Sequence, residues 1–249
     1  MLNKVLLITG GSRGIGAATA LLAAQQGWAV GVNYSSHSKA ADQVVQQIIS
    51  QGGRAMAVQA DVANEGQVLA MFDQVQSQLG RITGLVNNAG VVDAPSRVDE
   101  MSLERWRRMI DINIVGSFLC AREAVRRMST RHGGSGGAIV NLSSVAAVLG
   151  APGQYVDYAA TKGAIDTFTV GLAREVATEG IRVNGVRPGV IDTEIHASGG
   201  QPDRAQQLAP TIPMKRPGTA KEIANAIVWL LSDEASYATG SILDITGGR

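Results

Sequence analysis

The chain has 249 residues, of which 45% are hydrophobic and 17% charged, and its formal net charge is +1. That supply of apolar side chains suffices for a sizeable core in one α/β domain. The near-neutral balance argues against a general nucleic-acid or acidic-membrane binder, and no uninterrupted apolar stretch has membrane-spanning length.

Apolar runs of strand length alternate with longer segments of helical period. The first run, Val5–Ile8, leads straight into glycines and so does not read as a signal peptide. A helix is expected over 14–26, a strand over Ala29–Val32, a helix over 38–51, a strand over Ala55–Val58 and a helix over 65–78. Next come a strand at Gly84–Val86, one long helix over 102–130 and a strand at Ala138–Asn141. A helix over 158–179, a strand at Arg182–Val186, a helix over 220–231 and a strand at Ile242–Ile245 complete the series. Near-continuous apolar strands joined through helices predict an α/β fold. It is expected as a single domain over 1–249, a Rossmann-like, doubly wound parallel sheet of about seven strands with helices on both faces.

Gly133–Gly137 reads as a turn before a strand. Residues 192–217 hold four prolines and no strand pattern, as expected of a substrate-binding loop or lid. Leu230, Leu231 and the run Ile242–Ile245 suggest a buried C-terminal end. The single cysteine, Cys120, excludes a disulfide framework within the chain and fits a reducing, cytoplasmic home. It reads as a small core residue, with a reactive thiol as the alternative.

After the first strand comes Thr9-Gly10-Gly11-Ser12-Arg13-Gly14-Ile15-Gly16, running into the helix former Ala17-Ala18. Glycines let backbone turn tightly against a pyrophosphate, and the following helix N-terminus offers free N–H groups and a partial positive charge. Gly10, Ser12, Arg13, Gly14, Ile15 and Gly16 are therefore candidate cofactor contacts. The spacing is Gly-x-x-x-Gly-x-Gly, unlike the usual Gly-x-Gly-x-x-Gly dinucleotide fingerprint.

Tyr158 and Lys162 stand four residues apart on an expected helix, hence on one face. A phenol titrates near ~10 in water, too high for a base at neutral pH. A neighbouring ammonium is expected to lower that value, as is the positive charge of an oxidised nicotinamide. The hydroxyl then takes a proton from an alcohol or gives one to a ketone. The alternative is a surface aromatic packed on a lysine stem. Ser143 and Ser144 follow the fifth strand, where open α/β sheets bind ligands, and either hydroxyl can donate to a carbonyl oxygen as negative charge builds there. Asn113 lies in an apolar helical stretch, where its amide competes for backbone hydrogen bonds.

With Asn87-Asn88-Ala89-Gly90 after the fourth strand and Pro188-Gly189-Val190-Ile191-Asp192-Thr193 after the sixth, the ordered set resembles the short-chain dehydrogenase/reductase family along essentially the whole chain. The resemblance implies a nicotinamide-dependent oxidoreductase acting on a carbonyl or alcohol. It implies Asn113, Ser144, Tyr158 and Lys162 as the catalytic set. Lys162 would also hold the nicotinamide ribose, and Asn113 would distort its helix and hold a water in a proton relay with Lys162. The gap from Ser144 to Tyr158 is one residue longer than the family commonly shows, and Tyr155 is a decoy because Ala159 stands four residues after it. Asp61 and Val62 match the family's adenine-contacting pair, Asn88, Ala89 and Gly90 the adenosine ribose side. Pro188, Gly189, Ile191 and Thr193 fall in the segment beside the nicotinamide. Asp61 also suits an N-cap of the helix near 65.

The end of the second strand runs Gly31-Val32 into Asn33-Tyr34-Ser35-Ser36, and no acid occurs from 31 to 41 to bind a ribose 2′-hydroxyl. Arg13, with Ser35, Ser36 and His37, offers partners for a 2′-phosphate instead, so NADP(H) is expected over NAD(H). The alternative for Arg13 is a solvated loop residue. His37, His132 and His196 are scattered, so no catalytic metal is expected.

A small carbonyl, polyol or sugar-like substrate is the leading expectation, selected by Asp93–Val98, Val145–Tyr155 and 192–217. A 3-oxoacyl thioester on a carrier protein is the alternative, with Arg126, Arg127 and Arg131 as a basic docking patch. Glu179 disfavours it, standing where such relatives often carry a basic residue. A non-catalytic NADP-binding sensor is a third reading, but it predicts damage to the Tyr/Lys/Ser set, which is intact. The resemblance also implies a homotetramer built on the helices near 102–130 and 158–179 and on the last strand.

Overall fold

β1 (Val5–Ile8) is buried along its whole length, and its side chains alternate between two apolar layers. Val5 and Leu7 pack in one layer, Leu6 and Ile8 in the other, as the two-residue period of a strand requires. The computed structural model describes residues 4–249. From β1 the chain continues through α1 (Gly14–Gln25), β2 (Ala29–Tyr34), α2 (Ser38–Ser50), β3 (Ala55–Gln59), α3 (Glu65–Leu79) and β4 (Gly84–Asn87). There follow α4 (Leu103–Ile110), α5 (Gly116–Met128), β5 (Gly137–Leu142), α6 (Ala146–Leu149) and α7 (Val156–Val176). The last third holds β6 (Ile181–Pro188), β7 (Ile191–Asp192), α8 (Ile195–Ser198), α9 (Arg204–Leu208), β8 (Gly218–Thr219), α10 (Ala220–Leu231) and β9 (Ile242–Ile245).

Seven strands form one parallel sheet in the order β3-β2-β1-β4-β5-β6-β9. One face is covered by α3, α5 and α7 through Phe72, Met71, Val75, Met128 and Ala173. The other is covered by α1, α2 and α10 through Ala20, Val44, Ile48, Ile223 and Ile227. This is the doubly wound α/β fold expected. Strand order reverses between β1 and β4, and that switch point leaves a crevice at their carboxyl ends.

Several expectations change. The helix expected over 102–130 is broken: α4 and α5 are separated by a π-helical turn, Asp111–Val115. Such turns recur at functional sites, and this one holds the buried Asn113. β2 runs two residues further than expected, through Tyr34, which puts Asn33 inside the sheet. The helix expected over 158–179 begins two residues earlier and ends at Val176. Residues 192–217 are not structureless, since they carry α8 and α9. The segment is closed at its base, where β7 pairs with β8 (Ile191 beside Gly218, Asp192 beside Thr219). Leu230 and Leu231 are buried as expected, but β9 is a half-exposed edge strand. Cys120 lies fully buried, and burial pushes its thiol up to about 12, which leaves it an inert core residue.

The glycine loop is held by close packing. A Cβ on Gly16 would sit 2.3 Å from the Gly10 carbonyl oxygen and 2.7 Å from Asn88 Nδ2. Gly10 itself adopts φ +61°. Gly16→Ala is expected to destabilise the fold by about 1–3 kcal/mol in denaturant unfolding, as overpacking does. Gly66→Ala, in the open first turn of α3, should stay within about 0.5 kcal/mol of the parent. Equal effects would contradict the packing role of Gly16.

Candidate active site

Two cavities meet at the switch point. The larger, about 470 Å³, runs from the glycine loop past Tyr34, Ser35 and Asp61 to Asn88, Ala89 and Gly90. The smaller, about 130 Å³, holds Tyr158 and Lys162 beneath Pro188, Gly189 and Ile191. Ile15, Asn88, Gly90, Thr193 and Ile195 line both, so the two form one bent cleft.

The floor of that cleft is braced by side chains from three strand ends. Thr9 Oγ1 accepts hydrogen bonds from the backbone N–H groups of Asn88 and Ala89, both at 3.0 Å. Asn88 Nδ2 returns two, to the carbonyls of Thr9 and Gly10, each at 2.9 Å. Asn33 accepts from Gly10 N–H at 3.1 Å and donates to the Ala60 carbonyl at 3.0 Å, tying β2 to the glycine loop and to the end of β3. The side chain of Asn33 is thus buried bracing, although the residue lines the larger cavity. Asn87 donates to Asn141 at 3.0 Å and Asn141 to Thr169 at 2.9 Å, a buried polar chain joining β4, β5 and α7. Asp61 caps no helix: its Oδ1 accepts from Ala63 N–H, while Asn64 caps α3 by accepting from Gln67 N–H.

Tyr158 and Lys162 share the first turns of α7, with Lys162 Nζ 5.6 Å from the Tyr158 ring centroid. Lys162 is buried and donates to the Leu142 carbonyl at 2.7 Å. Burial brings its pKa down to about 8, with Asp166 opposing the shift. The expectation that the ammonium lowers the Tyr158 phenol is corrected. Burial pushes the phenol above its ordinary value, and the hydrogen bond with Ser144 pulls the other way. The two serines are told apart by their partners. Ser143 donates to the Lys162 carbonyl at 3.2 Å and is buried, whereas Ser144 meets Tyr158. Ser144 Oγ also accepts from Ala146 N–H, which starts α6.

Asn113 is brought beside this group by the π turn. Its side chain accepts from Val91 N–H at 2.8 Å and donates to the Val91 carbonyl at 3.0 Å, clasping the segment that leaves Gly90. Ser117 Oγ donates to the Asn113 carbonyl at 3.1 Å. A Cβ on Gly90 would lie 3.4 Å from Asn113 Oδ1 and 3.6 Å from Lys162 Nζ, in ordinary contact with both, so Gly90 stands beside this group.

Among known families, residues 10–249 match the model described as enoyl-(acyl carrier protein) reductase. An uncharacterized oxidoreductase of Escherichia coli, YgfF, is 56% identical over 98% of this chain and 99% of its own length. A 3-oxoacyl-[acyl-carrier-protein] reductase of Synechocystis is 41% identical over 98% of this chain and 96% of its own. A solved short-chain dehydrogenase/reductase variant from Serratia marcescens superposes with a TM-score of 0.90 at 35% identity, covering 98% of this chain and 97% of that one. The chain belongs to the short-chain dehydrogenase/reductase family. As a member of it, the protein is an NAD(P)-dependent oxidoreductase.

Sequence reasoning missed an ion pair at the residue preceding Tyr158. Arg105 on α4 makes a two-pronged contact with Asp157, at 2.6 and 3.2 Å, and its Nη1 reaches the Ala94 carbonyl at 2.5 Å. Both side chains are at most 10% exposed. One guanidinium thereby ties α4, the segment after Gly90 and the residue preceding Tyr158. An acid in the first turn of a helix was the only local signal for Asp157, and Arg105 carries none. A second missed set holds the segment after β7. Tyr155 donates to Gln201 at 2.9 Å, while Arg204 lies over the Tyr155 ring at 5.0 Å and donates to Gln154 at 2.7 Å. The apparent decoy tyrosine anchors the segment that flanks the small cavity.

Asp157→Ala strands the buried guanidinium and is expected to cost about 3 kcal/mol in denaturant unfolding. The apolar pair Arg105→Met with Asp157→Leu should recover more than half of it. A negligible loss in the single variant would contradict the role given to this contact.

Proposed function

We propose that the protein is an NADP(H)-dependent reductase of small neutral carbonyl compounds, running also toward alcohol oxidation, with Tyr158 as acid/base. The carrying observation is that Tyr158, which meets Ser144, lines with Lys162 a small cavity continuous with a cleft of a size to take a dinucleotide. The residues fit such a cofactor: Gly10, Ser12, Arg13, Gly14 and Ile15 of the glycine loop line the cleft, so the N-terminus of α1 faces it. A bound reduced nicotinamide supplies the hydride. Ser144 would donate to the carbonyl oxygen, Tyr158 Oη would give it the proton, and the Lys162 ammonium would favour the phenolate left behind.

Gly10, Ser12, Gly14, Ile15 and Gly16 would cradle the pyrophosphate, with Asp61 and Val62 at the adenine and Asn88, Ala89 and Gly90 at its ribose. Pro188, Gly189, Ile191 and Thr193 would flank the nicotinamide, and Asn113 would hold the segment at Val91 in place. NADP(H) is favoured over NAD(H) because exposed Arg13 and His37 share the cleft with Tyr34, Ser35 and Ser36, where β2 supplies no acid. The segment 192–217 would act as the lid. A homotetramer is supported by exposed Leu103, Trp106, Ile110 and Phe118, the last stacked on Phe168 at 4.0 Å between ring centroids. A cytoplasmic location fits the lone buried thiol, and among the described residues no helix is long and apolar enough to cross a membrane.

Reduction of 3-oxoacyl thioesters on a carrier protein is the second reading, supported by the names of relatives such as the Synechocystis reductase. The charges weigh against it. Glu123 is 2% exposed and gathers Arg122, Arg126 and Arg127, and Arg127 also meets Asp73 at 2.5 Å. Glu179, accepting from Ser129, lies 4.0 Å from Arg131. Each arginine of the supposed docking patch thus lies within 4.0 Å of a carboxylate, Arg126 and Arg127 sharing Glu123.

Tyr158→Phe should reduce turnover at least ~10²-fold, the usual share of a positioned acid/base. Its affinity for NADPH, read by fluorescence titration, should stay within about twofold. Retained turnover removes Tyr158 from the chemistry. Arg13→Ala should weaken NADPH by about tenfold and leave NADH nearly unchanged, as loss of a charged hydrogen bond to phosphate implies. An equal loss for both overturns the 2′-phosphate assignment.

A further inference from the structure

Glu194 stands at the start of α8, in the segment after β7, where an acid meets the N-terminus of its own helix favourably. Its side chain makes no such capping bond. Ser198 Oγ donates to the Glu194 backbone carbonyl at 3.2 Å, and none of the ion pairs among the described residues includes the carboxylate.

The carboxylate lies instead against the glycine loop. Glu194 Oε2 is 3.5 Å from the point that a Cβ on Gly14 would occupy, and both residues line the larger cavity. Gly14 is the first residue of α1. That helix has no acid in its first turn, and Arg13 at its cap makes no side-chain bond to it. The lid segment therefore brings a carboxylate to a helix N-terminus whose N–H groups and partial positive charge favour anions.

We infer that Glu194 is an affinity-determining residue, which opposes the cofactor's pyrophosphate at the N-terminus of α1. A dinucleotide brings the same negative charges to this point as NADPH or as NADH. In either form it shares the field of α1 with the Glu194 carboxylate. Glu194 thus weakens both cofactors by a similar factor and hastens their release. The direction is opposite to that of Arg13, and the effect does not depend on the 2′-phosphate. Two charges ~4 Å apart in a water-filled cleft are worth about fivefold in a dissociation constant. This rests on the placement of the pyrophosphate at the glycine loop and adds the charge that limits its affinity.

Fluorescence titration of NADPH and NADH with the parent protein and Glu194→Gln tests this without any carbonyl substrate. Both dissociation constants should fall by about fivefold in dilute buffer. Stopped-flow displacement should show slower release of both cofactors, and Glu194→Lys should tighten both further. The gain should shrink as salt is added, because ions screen a charge and leave a packing effect unchanged. Glu175→Gln, which removes an exposed acid from the far end of α7, should leave both constants nearly unchanged. Unchanged or weaker binding by Glu194→Gln would overturn the role given to Glu194. So would a gain confined to NADPH, a gain indifferent to salt, or an equal gain in Glu175→Gln, each leaving the glycine loop as the cofactor site. Failure of the parent protein to bind either cofactor would overturn that placement as well.

Discussion

The site depends on a lysine ammonium kept out of water. Lys162 is buried on α7, and the Leu142 carbonyl at the end of β5 is its hydrogen-bond partner among the described residues. Removing such a charge from water costs several kcal/mol, and one carbonyl returns only part of that. The consequence is the fall of Lys162 to about 8, an ammonium poised near neutrality rather than a fixed cation. Tyr158 beside it is pushed the other way, toward remaining a phenol. Without a further charge the phenol stays neutral, while the lysine keeps most of its charge at neutral pH. A pyridinium beside the pair would reverse the balance for the phenol, which links proton exchange to the redox state of a bound nicotinamide.

The fold places these groups through ordinary secondary structure. Parallel strands end together at the switch between β1 and β4, so Thr9, Asn88 and Leu142 arrive at one level with no special device. What is special is added at the edges. The π turn lets Asn113 reach Val91, and Arg105 clamps the start of α7 against α4. Tyr155 and Arg204 then fasten the segment after β7 alongside the small cavity. Each brings together residues 11 to 52 positions apart in the chain.

That long reach explains what was legible in the sequence. The strand and helix pattern, the glycine loop and the spacing of Tyr158 and Lys162 are local, set by periods of two and near four residues, and they read directly. Asn113 drew notice as a misplaced amide in an apolar helix, though the π turn itself has no sequence signature. Nothing local marks Arg105, because its partner Asp157 is 52 positions away in the chain. Asn33 fell outside the strand because polar residues end an apolar run, yet here its amide satisfies the backbone of two neighbouring segments. The direction of the Tyr158 shift was misjudged for a related reason: proximity to a cation is visible in spacing, whereas burial is not.

The central claim is that Lys162 and a bound pyridinium together make Tyr158 ionise at near-neutral pH. Ultraviolet difference titration of the phenol in the binary complex with NADP⁺, using Tyr158→Phe to isolate the signal, measures this directly. The account predicts an ionisation well below the ordinary tyrosine value of ~10, lost when Lys162 is replaced by Met. A phenol that stays protonated to that value or beyond, with NADP⁺ bound and Lys162 in place, would contradict it.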